Sequence, residues 1–127
     1  MANLSHLSRV LVVEDEGLIL LDIEQTLRDA GASDILLAST AADALQMMDA
    51  VDFDAAVLDL HLGRGGWSYD TARRLVEKGV PFVFSSGTID VVEGFRNVPL
   101  VMKPFSSDQL VAALLQVTAD RQVAAAQ

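Results

Sequence analysis

The sequence of 127 residues contains no cysteine, which excludes a disulfide framework, a thiolate metal centre and a cysteine nucleophile. Histidine is almost as scarce: His6 and His61 are too few for a histidine-rich zinc site. Basic residues number nine against eighteen acidic ones, a net charge of −9. A surface of that sign repels phosphate backbones, so no nucleic-acid partner is expected. No apolar run approaches the roughly 20 residues a membrane span needs, and Met1–Arg9 lacks the apolar stretch of a secretory signal. The expectation is a soluble, cytoplasmic protein without a membrane partner. Hydrophobic residues make up 51% of the chain and charged ones 21%, which excludes disorder. The length suits one domain over residues 1–127, with its core between about 7 and 118.

Short runs rich in Val, Leu and Ile alternate with longer stretches of helical spacing. Arg9–Val13 is the first run, and Ile19, Ile23, Leu27 and Ala30 then repeat at helical intervals up to Gly31. Ile35–Ala38 reads as a second strand, after which Thr40 with Asp43 resembles a capping box opening a helix through Ala50. Ala55–Leu58 is a third strand leading into Asp59. A loop with Gly63, Gly65 and Gly66 precedes a helix from about Ser68 to Lys78, where Trp67 and Tyr69 read as packing residues. Pro81–Ser85 and Pro99–Met102 are the fourth and fifth strands. Ser106 with Gln109 forms a capping box for a last helix carrying Leu110, Val111, Leu114, Leu115 and Val117. The end, Ala124–Gln127, is expected to fray. Because the strand runs are continuously apolar, both their faces are buried, as in a parallel sheet covered by helices. The pattern predicts a doubly wound α/β fold with a five-stranded parallel sheet flanked by helices.

In such a sheet, ligands bind beyond the carboxyl ends of the strands. Those ends carry Glu14, Asp15 and Glu16, then Asp59, then Ser85, Ser86 and Gly87, and finally Lys103 and Pro104. Like charges about 5 Å apart cost roughly 3 kcal/mol per pair at an effective dielectric near 20. A hard divalent cation with oxygen ligands offsets that repulsion. Lys103, one of two lysines in the chain, follows a run of apolar residues and reads as a partly buried ammonium. The hydroxyl of Ser86 and N–H groups near Gly87 complete a pocket suited to a phosphoryl group. Ser85 competes with Ser86 for that role.

Four segments, VVEDE, VLDL, SSGT and MKPF, each at the end of a predicted strand, resemble the receiver domain of bacterial two-component response regulators. The resemblance spans about Leu7 to Thr118 and implies a single-domain, chemotaxis-regulator-like, flavodoxin-like signalling domain that is not an enzyme. It implies that Asp59 is the phosphoacceptor and that Glu14, Asp15 and Asp59 bind Mg²⁺, or Mn²⁺ in its place. The backbone carbonyl of His61 would be a further metal ligand. Ser86 would follow the phosphoryl group, Lys103 would pair with it, and Gly87 would leave it room. The implied partners are a histidine kinase or histidine phosphotransfer protein and an unknown downstream protein reached through protein contacts.

The chain departs from that family at three points. Gly63 stands where most receivers have proline, Leu100 stands where an aromatic switch residue is usual, and Lys103 follows Ser86 by only 17 positions, which predicts a short or partly missing fourth helix. Leu18 and Leu21 widen the apolar face of the first helix beyond one stripe, which suggests a docking surface. A haloacid-dehalogenase-like phosphatase also uses a nucleophilic aspartate, but it wants a second aspartate where His61 stands. The pattern is also compatible with a pseudo-receiver that binds partners without phosphate, or with a fragment of a longer regulator.

Overall fold

The computed structural model describes residues 3–63, 66–88 and 94–126, with side chains through residue 119. Five parallel strands form one sheet in the order β2-β1-β3-β4-β5. They are β1 (Arg9–Val13), β2 (Asp34–Ala38), β3 (Ala55–Asp59), β4 (Phe82–Ser86) and β5 (Leu100–Met102). The helices are α1 (Gly17–Asp29), α2 (Ala41–Ala50), α3 (Tyr69–Glu77) and α4 (Ser107–Ala126). β1, β3 and β4 are buried almost end to end, as their unbroken apolar runs require.

Alternation along the strands separates two cores. Leu11, Val13, Leu58, Phe82 and Phe84 pack with Ala44 and Met48 of α2 and Ala72 and Leu75 of α3. Val10, Val12, Val57 and Val83 pack on the other face with Ile23 and Leu27 of α1 and Leu110 and Leu114 of α4. Strand order reverses between β2-β1 and β3-β4-β5, so the crevice that a doubly wound sheet offers a ligand lies beyond β1 and β3.

Thr40 caps α2 with one bond, and the Ser106 capping box forms in full. Thr40 Oγ1 accepts from the Asp43 N–H at 3.1 Å, and Ser106 and Gln109 exchange bonds of 3.1 and 2.8 Å. Strands β4 and β5 start one residue later than the sequence predicts. Pro81 and Pro99 lack the N–H a ladder needs, although each still accepts through its carbonyl, from Ala56 at 3.0 Å and Phe84 at 2.9 Å. Trp67 packs against neighbouring rings as expected, but at the surface. It is 47% exposed and lies against His61 and Tyr69, with ring centroids 3.9 and 5.4 Å away, so it caps a surface stack instead of filling the core. Residues 89–93 of the span expected to hold a short or partly missing fourth helix lie outside the described residues, as does Gly65, and residues 94–99 carry no helix. α4 runs through Ala126, into the segment expected to fray.

The core also begins earlier than the predicted boundary near Leu7. Leu4 and Leu7 are both fully buried in the α1/α4 core, and the Leu4 N–H bonds to the Ala30 carbonyl at 2.6 Å. His6 reaches Thr118 Oγ1 at 2.9 Å, tying this segment to α4. Leu4→Ala should therefore behave as a core truncation, lowering the unfolding free energy by about 3 kcal/mol in urea denaturation. A loss under about 0.5 kcal/mol, the range of ordinary surface changes, would show that the segment is only loosely attached.

Candidate functional site

Parallel pairing brings distant carboxylates together. Val12 and Val57 are paired between β1 and β3, so Glu14, just past β1, comes level with Asp59 at the end of β3. The Glu14 N–H bonds to the Ala38 carbonyl at 3.0 Å, which keeps the backbone in strand register. Oxygens of Glu14, Asp15 and Asp59 all lie within 4.8 Å of one another. Glu14 and Asp59 are buried, whereas Asp15 faces solvent.

Lys103 enters this cluster from the end of β5. Its backbone N–H bonds to the Ser86 carbonyl at 2.8 Å, which fixes where the side chain starts. The ammonium then spans Glu14, with Oε1 at 3.1 Å and Oε2 at 3.0 Å, and reaches Asp59 Oδ2 at 3.3 Å. The other oxygen of Asp59, Oδ1, accepts from the His61 N–H at 3.2 Å. Side-chain exposure is 20% at Lys103, against 1% at Glu14 and 5% at Asp59, so these charges meet in a poorly solvated place. The sequence-based reading of Lys103 as a partly buried ammonium agrees with this; that it spans both oxygens of Glu14 did not follow from sequence.

One ammonium cannot balance three carboxylates. Burial first, and then contact with Asp59, pushes the Glu14 carboxyl up to about 7, against the opposing pull of Lys103. Burial also works against the Lys103 charge, but Glu14 and Asp59 outweigh it and leave its pKa above the ordinary lysine value. The cluster is thus short of positive charge. Hard oxygen donors in close reach, with about two negative charges left over, fit a divalent cation such as Mg²⁺.

The two serines of β4 have different settings. Ser85 pairs in register with Asp59 and is buried, and its hydroxyl has no hydrogen-bond partner among the described residues. Ser86 is also buried, and its Oγ accepts from the Thr88 N–H at 3.1 Å in the turn that begins at Gly87. Alternation sends the two hydroxyls to opposite faces of the sheet. The glycine-rich loop after Asp59 closes as a hairpin: the Leu62 N–H bonds to the Gly66 carbonyl at 2.8 Å, and His61 bridges to Trp67.

The raised Glu14 pKa has a consequence for stability without metal. An acid whose folded pKa lies above its unfolded value of 4.5 holds a proton in the folded state that the unfolded chain has released. Its contribution is present below about 4.5 and is lost as pH rises through about 7. In EDTA, the Tm should therefore fall between these limits, and Glu14→Gln should flatten that part of the curve. An unchanged slope in the variant would place the titration elsewhere.

Comparison with known proteins identifies the family of the fold. Residues 10–115 match the response regulator receiver domain family. Over 124 residues the chain is 29% identical to the transcriptional regulatory protein PdtaR of Mycobacterium tuberculosis, covering 92% of this chain and 60% of that protein. The chain thus spans less than two thirds of that relative's length. Among solved structures, SdrG of Sphingomonas melonis is 36% identical, with a TM-score of 0.76 and coverage of 88% of this chain and 99% of that one. The response regulator PhyR of Brucella abortus is 27% identical, with a TM-score of 0.80, and is covered over 50% of its chain and 92% of this one. The match takes in β1 from its second residue, the other four strands, α1 to α3 and the first nine residues of α4, and the chain belongs to the response regulator receiver domain family.

Proposed function

We propose that this receiver domain is a phosphoacceptor, modified on Asp59 in a Mg²⁺-dependent reaction with a histidine kinase or histidine phosphotransfer protein as donor. The observation that carries the proposal is the cluster of Glu14, Asp15 and Asp59 with Lys103 set across it. Glu14, Asp15, Asp59 and the backbone carbonyl of His61 would hold the ion. Bound Mg²⁺ would neutralise charge and orient the phosphoryl oxygens. An Asp59 carboxylate oxygen attacks phosphorus while the bond from phosphorus to the donor histidine nitrogen breaks, and the electron pair stays on that nitrogen. Lys103 and the Ser86 hydroxyl then find new acceptors in the phosphoryl oxygens, a difference in contacts that shifts the conformational equilibrium. Output follows through contacts with a downstream protein.

Acetyl phosphate with Mg²⁺ should add one phosphoryl mass to the wild-type protein and none without a divalent cation. Asp59→Asn should stay unlabelled, and Asp15→Asn should lose Mg²⁺ affinity as well. Full labelling of Asp59→Asn, read by intact mass, would sink the assignment.

The exposed side of α1 supports docking of the donor. Leu18 is 85% exposed and Leu21 57%, on the helix that leads directly from the acidic cluster. Beside them a groove lined by Glu16, Ile19, Asp22, Lys103, Pro104 and Phe105 opens next to the site. Apolar surface in that position suits the side of a helical bundle that presents the histidine. Leu21→Glu should slow phosphotransfer from the cognate donor but leave acetyl phosphate labelling close to normal. Equal slowing of both reactions would mean the change acts on the site itself.

A further inference from the structure

Gly63 lies four residues after Asp59, and its backbone φ of +55° is in the left-handed region. The hairpin holds it firmly, since the Gly66 N–H bonds to the Gly63 carbonyl at 3.1 Å and Leu62 bonds back to Gly66 at 2.8 Å. In this position Gly63 faces Asp15. A Cβ built on Gly63 would stand 2.5 Å from Asp15 Oδ2 and 3.6 Å from its Cγ. The first distance is far inside van der Waals contact, so one partner would have to move. The far end of an exposed aspartate moves more easily than a hydrogen-bonded turn. Gly66 provides the contrast: its φ is +74°, equally left-handed, yet a Cβ there would meet nothing within 4 Å.

We propose that Gly63 is a positioning residue of the metal site, whose missing side chain lets the hairpin close on Asp15 and keeps that carboxylate facing Glu14 and Asp59. The proposal rests on the reading of Asp15 as an Mg²⁺ ligand. With the loop backbone that this chain adopts, a Cβ at 63 displaces the Asp15 carboxylate from the cluster and leaves the fold in place. Glycine at this position is therefore set by the metal site as well as by the turn. The two demands separate because Gly66 carries only the second.

The test is an Mg²⁺ titration of the unphosphorylated protein, followed by the fluorescence of Trp67 and by calorimetry. Gly63→Ala and Gly66→Ala bear the same left-handed strain and should lose similar stability. Only Gly63→Ala should weaken Mg²⁺ binding, by about tenfold or more, the effect typical of disturbing a group that orients a metal ligand. Gly63→Asn restores tolerance of the left-handed backbone but keeps the Cβ, so it should weaken binding as well even if the alanine variant folds poorly. With acetyl phosphate, the Mg²⁺ concentration for half-maximal labelling should rise in Gly63→Ala by more than the labelling rate at saturation falls. Wild-type affinity in both Gly63 variants, or equal losses in Gly63→Ala and Gly66→Ala, would overturn the proposal. Unchanged affinity in Asp15→Asn would overturn both the proposal and the reading of Asp15 beneath it. A loss in Asp15→Asn with none at Gly63 would overturn the proposal alone.

Discussion

The ammonium of Lys103, held between Glu14 and Asp59, is the contact on which the rest of the site depends. Two buried carboxylates side by side without it would repel by roughly 3 kcal/mol at about 5 Å and an effective dielectric near 20. Each would also carry its own desolvation cost. Lys103 offsets part of this and leaves the remainder, so the cluster keeps an appetite for positive charge. A proton on Glu14 satisfies it in one way, and a divalent cation would satisfy it in another. Charge deficiency of this kind makes the site responsive, because a fully balanced cluster would gain little from binding anything.

The sheet exists, in functional terms, to hold that imbalance in place. β1 and β3 are neighbours with Val12 level with Val57, and this register alone brings Glu14 beside Asp59 across 45 residues of sequence. β4 and β5 pair so that the Ser86 carbonyl holds the Lys103 N–H, setting the root of the side chain that must cross to β3 and β1. Both faces of the sheet are sealed by helices, so the strand ends are where polar groups can gather. The crevice at the reversal of strand order follows from the same arrangement.

Much of this was legible in the sequence, for identifiable reasons. Continuous apolar runs at Val10–Val13, Ala55–Leu58 and Phe82–Phe84 mark strands buried on two faces, and the Thr40 and Ser106 boxes mark helix starts by local chemistry. The acids, Asp59 and Lys103 could be placed at one edge because parallel strands put their carboxyl ends together. What escaped was long-range. Leu4 precedes every periodic segment, and nothing local shows that it packs against α1 and α4. Trp67 read as a packing residue by type, but its ring lies at the surface between His61 and Tyr69. The approach of Gly63 to Asp15 joins two loops that the sequence separates by 48 positions, and only their geometry reveals it.

Leu100 shows how a local departure can be absorbed. Where related domains carry an aromatic switch, leucine packs partly buried against the α2/α3 core, in which Phe82, Phe84 and Phe95 meet edge to face. Tyr69 stacks parallel to Phe95 at 6.2 Å, so rings run from His61, beside Asp59, into the segment before β5. Aromatic contact is therefore supplied from α3 and its preceding loop, with no ring at position 100. The central claim concerns charge, and it is tested most directly by a crystal structure with Mg²⁺ and beryllofluoride. The account predicts beryllium on an Asp59 oxygen, Mg²⁺ held by Glu14, Asp15 and Asp59, and the Lys103 ammonium moved from Glu14 onto a fluoride. A structure in which Lys103 still spans both oxygens of Glu14, with the ion and the adduct bound elsewhere, would contradict it.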